Sequence, residues 1–260
     1  MAPWAPGSRT DIVAPTRRIL ATSGGFVPDG GLWDVMRPGR LMLEALRLSG
    51  AERPRVLLVM TASGDSDRYL AMTYSALSSA HCDVDHLSLF TQPNRTPADA
   101  LAWADVVWVG GGSVANLLAL WRLHGIDEAM SDAWDRGTVL AGVSAGSLCW
   151  HVGGTTDSFG ATLRPIDNGL ALLPYGNGVH YDSEEQRRPL LHSLIADGTL
   201  PAGSATDDGA GILYRGTEMV GASAGRGEAG ADFVGCGGGR PAAEAERPAH
   251  DLATLLGDDA

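Results

Sequence analysis

A serine in the setting of a catalytic nucleophile stands near the middle of this chain of 260 residues. The segment Gly142-Val143-Ser144-Ala145-Gly146 matches the pattern G-x-S-x-G, follows a short apolar segment and precedes residues that can begin a helix. A serine at such a strand-to-helix turn is held clear of the sheet, and small flanking residues let a substrate approach. The pattern predicts that Ser144 is a nucleophile, with an ordinary glycine-rich turn as the alternative.

A second glycine-rich segment, Gly110-Gly111-Gly112-Ser113, follows an earlier apolar segment that is predicted to be a neighbouring strand. Backbone N–H groups there can point into the site, and an oxyanion hole needs two such donors. The N–H groups of Gly112 and Ala145 are the natural pair. A phosphate-binding turn is the competing interpretation, which is less favoured because the chain has neither a lysine nor a GxGxxG motif.

A serine nucleophile needs a base, and the chain offers seven histidines: His81, His86, His124, His151, His180, His192 and His250. His180 stands out because Gly176-Asn177-Gly178-Val179 precedes it and Tyr181-Asp182 follows, which predicts a tight loop. An acid should orient the imidazole and stabilise its charged form. The candidates are Asp157, Asp207 and Asp208, and spacing alone does not choose among them.

Alternating strands and helices over the first 150 residues predict how these groups are positioned. Predicted strands cover 18–22, 55–60, 84–90, 106–109 and 138–143, and predicted helices cover 41–48, 67–77, 114–124 and 126–136, with a further helix that starts at Thr96-Pro97-Ala98-Asp99. This alternation is typical of a parallel sheet with helices on both faces, a three-layer α/β sandwich. Ligands of such sheets bind at the carboxyl ends of the strands, where both Gly110-Gly111-Gly112 and Ser144 fall.

The second half of the chain is less regular. The pattern predicts a helix over 183–196, a β-hairpin of 210–214 and 218–220 around Arg215-Gly216, and a strand over 232–234.

Composition excludes several classes of function. Apolar residues make up 44% of the chain, enough for a substantial core. The net charge of −12 repels phosphate backbones, so nucleic-acid binding is not expected. All 19 basic residues are arginines. Without lysine there can be no Walker lysine, no Schiff base to a pyridoxal cofactor and no Ser-Lys dyad.

Cysteine usage and hydropathy predict a cytoplasmic protein. Cys82, Cys149 and Cys236 show no paired spacing, which fits a reducing compartment, and Cys149 is expected to be a small buried side chain. The longest apolar runs are of strand length, short of the roughly 20 residues of a membrane span. No cluster of His, Cys and Asp has metal-ligand spacing, so neither a catalytic metal nor a cofactor is expected.

Taken in order, the motifs resemble those of the peptidase E family of aspartyl dipeptidases and their relatives, which include cyanophycinase. The matching segments are Val109-Gly110-Gly111-Gly112, Gly142-Val143-Ser144-Ala145-Gly146, Thr155-Thr156-Asp157 and Gly178-Val179-His180. The resemblance covers roughly residues 18–221. It leaves 1–17 as a flexible N-terminal segment and 222–260 as a Gly/Ala-rich segment, partly disordered or forming an edge strand.

The resemblance implies a class I glutamine amidotransferase-like, flavodoxin-like fold with serine in place of the nucleophilic cysteine. Carried over to this sequence, Ser144 is the nucleophile, His180 is the base, and Gly112 and Ala145 are the oxyanion donors. The acid of the family matches either Asp157 or Asp208, and Asp157 is slightly favoured.

One segment departs from the family pattern. Aspartyl dipeptidases carry Thr-Arg-Glu-Gln-Arg in the helix after the catalytic histidine, whereas this chain has Ser183-Glu184-Glu185-Gln186-Arg187. Glu184 therefore reverses a positive charge that suits an acidic substrate, while Arg187 is retained and could reach a carboxylate. The change predicts that the substrate preference differs from the preference of aspartyl dipeptidases for an N-terminal aspartate. A site with Glu184 and Asp182 would favour a free amino group or a basic residue.

These observations predict a serine peptidase that cleaves short peptides through an acyl-enzyme, with neither nucleic acid nor membrane as a partner. Exposed strand or helix faces could also pair two copies into a homodimer. One alternative is an esterase of the α/β-hydrolase type, although the 36 positions from Ser144 to His180 are few for that fold. The other is a non-catalytic relative that binds peptides without turnover.

Overall fold

A computed structural model describes residues 15–30, 32–225, 229–235 and 243–247. The strands in these ranges are β1 (Arg18–Thr22), β2 (Phe26–Asp29), β3 (Leu32–Pro38), β4 (Arg55–Val59), β5 (Asp83–Leu87), β6 (Val106–Val109), β7 (Val139–Val143), β8 (His151–Thr156), β9 (Arg164–Ile166), β10 (Leu173–Gly178), β11 (Gly203–Thr206), β12 (Ala210–Arg215), β13 (Glu218–Ala224), β14 (Ala231–Gly235) and β15 (Ala243–Arg247). The helices are α1 (Arg40–Leu48), α2 (Asp67–Leu77), α3 (Pro97–Trp103), α4 (Val114–His124), α5 (Ile126–Asp135), α6 (Ala145–Leu148) and α7 (Arg187–Ala196).

The first sheet has seven strands in the order β13-β12-β1-β7-β6-β4-β5. The neighbours from β1 to β5 run parallel, and β12 and β13 add an antiparallel hairpin at the other edge. Strand β6 and residues 56–59 of β4 are apolar and buried because helices cover both of their faces. The prediction of a three-layer α/β sandwich is therefore confirmed.

Side chains of successive strand residues pack into two separate cores. Leu57 and Val59 of β4 lie in the core that also holds the buried faces of α3, α4, α5 and α6. Val56 and Leu58 point the other way and pack with α1 and α2. This alternation is the two-residue period of a strand covered on both sides.

Three helices on this sheet begin at side-chain caps. The Oγ of Ser66 accepts the amide of Tyr69 before α2, and Ser113 Oγ accepts the amide of Asn116 at 3.2 Å before α4. Thr96 caps α3 in the same way. Each cap satisfies a backbone donor that the first helical turn leaves without an intrahelical partner.

The second sheet, of six strands in the order β15-β14-β11-β10-β8-β9, has no counterpart in the sequence-based prediction beyond the strand at 232–234. Its strands β8, β10 and β11 are parallel and rich in glycine. A Cβ added at Gly154 would lie 2.0 Å from the carbonyl oxygen of Asn177, and one at Gly203 would lie 2.5 Å from that of Gly176. Glycine is required there because neighbouring backbones approach too closely for any side chain.

This sheet corrects one local prediction. The residues before His180 were expected to form a tight loop, but Leu173–Gly178 is strand β10, so His180 follows a strand almost directly. The helix predicted from 183 begins only at Arg187. The hairpin β2–β3 was also missed, since Pro28 and Asp29 are poor strand formers.

The predicted division into 1–17, 18–221 and 222–260 stays a prediction, because residues 1–14, 226–228, 236–242 and 248–260 lie outside the described ranges. Strand β13 continues to Ala224, and β14 contains the strand predicted at 232–234. Strand β15 is the edge strand of the second sheet. Across the described ranges, no helix combines the length and apolar character needed to cross a membrane.

A buried polar network joins the two sheets behind Ser144. The carbonyl of Ser147 lies 2.9 Å from Nδ1 of His151, so Nδ1 carries the proton and Nε2 can accept from the Tyr214 hydroxyl at 3.4 Å. Tyr214 is in turn 2.8 Å from the Ser204 hydroxyl of β11. The side-chain amide of Asn177 donates to Ser147 Oγ at 2.9 Å. Both ring nitrogens of His151 are thus satisfied in the neutral form.

We expect this histidine to make the fold sensitive to acid. Complete burial lowers the pKa of His151 to about 4, whereas an unfolded histidine titrates near 6.5. Between these values only the unfolded chain binds the proton, so stability falls as pH drops through this window and is unaffected above it. The free energy of unfolding should lose about 2 kcal/mol from this residue between pH 7.5 and pH 5.

Urea denaturation of the wild type and of His151→Gln at the two pH values measures this loss. The variant lacks the titrating group, so its decrease in unfolding free energy should be smaller than that of the wild type by about the same 2 kcal/mol. Equal decreases in the two proteins would contradict the assignment.

Candidate active site

Ser144 sits on a strained turn between β7 and α6. Its φ of 57° and ψ of −111° lie outside the regions that L-residues ordinarily adopt. The turn is held by main-chain contacts: the Ser144 amide donates to the carbonyl of Thr22 at 3.0 Å, and its own carbonyl accepts the amides of Ser147 and Leu148. Such strain at a strand-to-helix turn is typical of an exposed nucleophile.

Both glycines of the G-x-S-x-G segment are required by packing. A Cβ on Gly142 would lie 2.5 Å from the carbonyl oxygen of Gly146, and one on Gly146 would lie 2.3 Å from that of Val109. Strands β6 and β7 and helix α6 therefore meet backbone to backbone beneath Ser144. Because α6 has only one turn, its macrodipole adds little, and stabilisation of negative charge depends on individual amides.

The two residues predicted to donate to an oxyanion, Gly112 and Ala145, lie close to Ser144. A Cβ added to Gly111 would lie 3.4 Å from Cβ of Ser144, so the glycine-rich loop packs directly against it. Gly112 has a φ of 134°, and its Cα faces the carbonyl of Ala62, which leaves no room for a side chain. The backbone N–H groups of Gly112 and Ala145 donate to no other group among the described residues. Both can therefore serve a ligand.

His180 is held at the end of β10 in a left-handed conformation with a φ of 54°. Its amide donates to Oγ of Ser23 at 3.2 Å, and its Nδ1 lies 2.5 Å from a carboxylate oxygen of Asp208. A carboxylate accepts, so Nδ1 carries the proton and Nε2 is left with a lone pair. Asp208 is itself fixed by its amide, which donates to the Asp182 carboxylate at 2.8 Å.

The loop after β1 connects these parts although it supplies no reacting group. Thr22 accepts the Ser144 amide, and Oγ of Ser23 accepts the His180 amide while it donates to the Thr206 carbonyl at 3.1 Å. The Ser23 carbonyl also accepts the amide of Gly209, the residue after Asp208. Sequence analysis did not single out Ser23. Its only signal was its position at the carboxyl end of a predicted strand.

A cavity of about 290 Å³ collects most of the predicted site residues. It is lined by Gly112, Ser113, Ser144, Asp157, Ser158, His180, Glu184 and Arg187. Two predicted residues are not on its wall: Ala145 is buried behind Ser144, and Asp208 lies behind the His180 ring on a neighbouring cavity.

The acids that sequence could not distinguish have different surroundings. Asp157 is exposed after β8, on the wall of the Ser144 cavity, and its carboxylate has no hydrogen-bond partner among the described residues. Asp207 accepts the amide of Gly230 at 3.0 Å, and burial raises its pKa. Asp208 alone of the three contacts the imidazole of His180.

Opposite charges of Glu184, just before α7, and Arg187, its first residue, cancel each other. Nε of Arg187 donates to the Glu184 carboxylate at 2.8 Å, and another guanidinium nitrogen donates to the carbonyl of Thr155. Arg187 is only 2% exposed, whereas the Glu184 side chain is 39% exposed. The guanidinium is therefore already neutralised, and Glu184 presents the more accessible charge.

Cys149 is not placed to act as a second nucleophile. Cys149 is fully buried, and burial holds the pKa of its thiol well above the ordinary value, as expected of a small core side chain. Within the described parts of the chain, no group of three or more His, Cys, Asp or Glu residues is arranged to hold a metal ion.

Together, a nucleophile turn on a parallel sheet, an adjoining amide loop and a histidine–carboxylate pair define a serine hydrolase class of site. Comparison with known proteins gives the family. The model of peptidase family S51 matches residues 36–222, and the chain belongs to that family.

Individual relatives agree. An uncharacterized peptidase from Bacillus subtilis, YgaJ, is 39% identical over 200 residues, which cover 76% of this chain and 83% of the relative. A peptidase E from Shewanella denitrificans is 25% identical over 162 residues, covering 59% and 67% of the two chains. The crystal structure of a peptidase from an acI-B1 Actinobacterium superposes with a TM-score of 0.65 at 14% identity, covering 91% of this chain and 96% of that one.

These findings confirm the resemblance to the peptidase E family and identify the chain as a serine peptidase. They do not support the alternative of an α/β-hydrolase esterase. The flavodoxin-like sandwich expected from the resemblance is likewise the fold observed.

Proposed function

We propose that this peptidase hydrolyses short peptides through an acyl-enzyme on Ser144, with His180 as the base and Asp208 as the acid that orients it. The hydrogen bond between His180 Nδ1 and Asp208 carries this proposal, together with the position of His180 and Ser144 on the wall of one cavity. Gly112 and Ala145 supply the oxyanion donors.

The geometry suggests the order of events. Nε2 of His180 takes the proton of Ser144 Oγ as the oxygen attacks the peptide carbonyl, and the amides of Gly112 and Ala145 stabilise the developing oxyanion. The imidazolium then gives its proton to the leaving amine. Water enters, His180 removes its proton, and attack on the ester releases the acid and restores Ser144.

Asp157 has a different role in this proposal. An acid that orients the imidazole has to reach Nδ1, and that nitrogen already donates to Asp208. Asp157 lines the Ser144 cavity, whereas Asp208 does not, and the Asp157 carboxylate has no hydrogen-bond partner among the described residues. We therefore assign Asp157 to substrate binding.

The walls of the Ser144 cavity favour substrates that are neutral or basic on the acyl side. The guanidinium of Arg187 already donates to Glu184 and Thr155, so it is not available to bind an acidic residue of the substrate. The carboxylates of Asp157 and Glu184 leave the wall with a net negative charge while His180 is neutral. An N-terminal ammonium or a basic side chain would be attracted instead.

We expect Glu184→Gln to move this preference toward acidic substrates. The substitution removes one negative charge from the wall and frees Nε of Arg187 from its ion pair. The ratio of kcat/KM for an Asp-first dipeptide to that for the matching Arg-first dipeptide should rise by about tenfold or more, equivalent to about 1.4 kcal/mol.

Glu185→Gln provides the matched control, since Glu185 lies next in sequence but does not line the Ser144 cavity. Its selectivity ratio should stay within about twofold of the wild type. If the ratio changes equally in both variants, the effect comes from the general surface charge and not from the position of Glu184 in the cavity wall.

Two wider expectations belong to this proposal. Unpaired Cys82 and Cys149 fit action in a reducing cytoplasm, and pairing of exposed faces into a homodimer remains open to measurement by light scattering.

The proposed activity is tested by mass spectrometry of a dipeptide and tripeptide library incubated with the enzyme. Cleavage that depends on Ser144 supports it. Tight peptide binding with no product would favour the non-catalytic relative instead.

A further inference from the structure

A second and larger cavity adjoins His180 on the side away from Ser144. Its volume is about 500 Å³, compared with about 290 Å³ for the Ser144 cavity. His180 and Glu184 line both cavities, whereas Ser144 lines only the smaller one and Asp208 only the larger. The imidazole and the Glu184 side chain therefore form the partition between two chambers.

The larger cavity is apolar where it lies farthest from the catalytic groups. The hairpin strand β2 contributes Phe26, Val27 and Pro28, and α1 contributes the fully buried Leu41. Phe26 is fixed edge-on against the indole of Trp108, with ring centroids 5.7 Å apart. A preformed cleft of this volume with an apolar wall is typical of a small-molecule binding site.

Glycines open this cavity to a ligand. Gly24, Gly25, Gly39, Gly209 and Gly225 all line it, so much of its wall is bare backbone. A Cβ on Gly25 would lie 2.3 Å from the Trp108 ring, and one on Gly39 would lie 2.9 Å from the Gly25 carbonyl oxygen. The close packing of these backbones leaves the space above them unfilled.

We propose that this cavity is the subsite for the leaving-group residue, and that it accepts a large apolar side chain. This inference rests on the proposed acyl-enzyme mechanism. The oxyanion donor Gly112 and Ser144 fix the acyl half of the substrate in the smaller cavity. The leaving amine has to meet Nε2 of His180, since that nitrogen returns the proton. Beyond His180 the larger cavity is the space that the rest of the leaving group enters.

The test compares dipeptides that share one acyl residue and end in glycine, alanine, leucine or phenylalanine. All form the same acyl-enzyme, so differences in kcat/KM report only the acylation step and hence the leaving group. Burial of a leucine or phenylalanine side chain should raise kcat/KM about 10- to 100-fold over glycine.

Val27→Asp places a charge in the apolar wall and should reduce this ratio to about threefold or less. Val35→Asp is the matched control, since Val35 lies on the partner strand of the same hairpin, is 47% exposed and does not line the cavity. Its ratio should equal that of the wild type.

A second measurement uses wild-type enzyme only and so does not depend on the folding of a variant. An ester of the same acyl residue is hydrolysed in the presence of leucine amide or glycine amide. The amine nitrogen attacks the acyl-enzyme, a C–N bond forms, the C–Oγ bond breaks, and the amine proton passes through His180 to Ser144 Oγ. Leucine amide should capture about tenfold more acyl group than glycine amide at equal concentration.

The possible failures are distinct. Hydrolysis that depends on Ser144 but shows no preference among leaving residues, in both measurements, would overturn the subsite assignment and leave the proposed function standing. Hydrolysis that persists in Ser144→Ala would overturn the mechanism itself, and this inference with it.

Discussion

Replacement of Ser144 by alanine should lower kcat/KM for peptide hydrolysis by at least about 10⁴-fold without unfolding the protein. The loss is large because no covalent intermediate can form, and only the oxyanion amides and substrate binding are left to accelerate attack by water. The fold should survive because alanine keeps the Cβ that the turn already accommodates. The turn is also held by main-chain bonds to Thr22, Ser147 and Leu148 rather than by the hydroxyl.

Initial rates on a cleaved dipeptide, together with thermal unfolding of each protein, measure this effect. Ser78→Ala, at an exposed serine after α2, is the control and should retain full activity. A serine-reactive phosphonate should add its mass to the wild type at Ser144 and leave Ser144→Ala unlabelled. Retention of more than a tenth of the activity in Ser144→Ala would rule out this nucleophile.

Asp208→Asn should be the second most damaging change, with a decrease in kcat of about 10³- to 10⁴-fold. The carboxylate now accepts the Nδ1 proton of His180 at 2.5 Å. An amide NH₂ at that position donates instead, which favours the tautomer with its proton on Nε2. That tautomer cannot take the proton of Ser144. Asp157→Asn leaves the imidazole untouched and should change kcat by less than about tenfold, with its larger effect on KM.

Steady-state kinetics of the three single variants Asp208→Asn, Asp157→Asn and Asp207→Asn separate these roles. Asp207→Asn is the matched control because it makes the same chemical change one residue away, at a carboxylate bonded to Gly230. The opposite ranking, with Asp157→Asn the slower enzyme, would transfer the orienting role to Asp157.

The first sheet could be predicted because each of its parts has a local signal. Strand β6 and residues 56–59 of β4 are continuous apolar segments, and α2, α3 and α4 begin at Ser or Thr caps. The turn at Ser144 has a signal of the same kind, since it directly follows the apolar strand β7.

The second sheet has no such signal. Its parallel strands His151–Thr156, Leu173–Gly178 and Gly203–Thr206 contain glycine, asparagine, serine and threonine where β-branched apolar residues would be expected. They form strands because glycine lets their backbones pack closely, which is a tertiary effect. The residues before His180 were therefore predicted to form a loop, whereas they form strand β10.

The contact between Asp208 and His180 depends on the second sheet. Asp208 reaches His180 because β10 and β11 are adjacent and parallel, with Gly178 opposite Ala205. The spacing of Asp157 and Asp208 along the chain does not reveal that these two strands are neighbours. The pairing of Glu184 with Arg187 was not predicted either, because Glu184 lies in the turns before α7, which begins at Arg187. The depth at which Arg187 is buried could also not be foreseen.

The segment Thr22–Ser23, at the end of β1, has a consequence for the evolution of substrate preference. The Thr22 carbonyl accepts the Ser144 amide, the Ser23 carbonyl accepts the amide of Gly209 beside Asp208, and the Ser23 hydroxyl accepts the His180 amide. None of these contacts involves a side chain of the Ser144 cavity wall. The chemical step can thus be inherited with the backbone, while residues of the cavity wall such as Glu184 are free to be exchanged one at a time. An ancestral peptidase built this way could change its substrate preference by single substitutions, and every intermediate would keep the ability to hydrolyse a peptide bond.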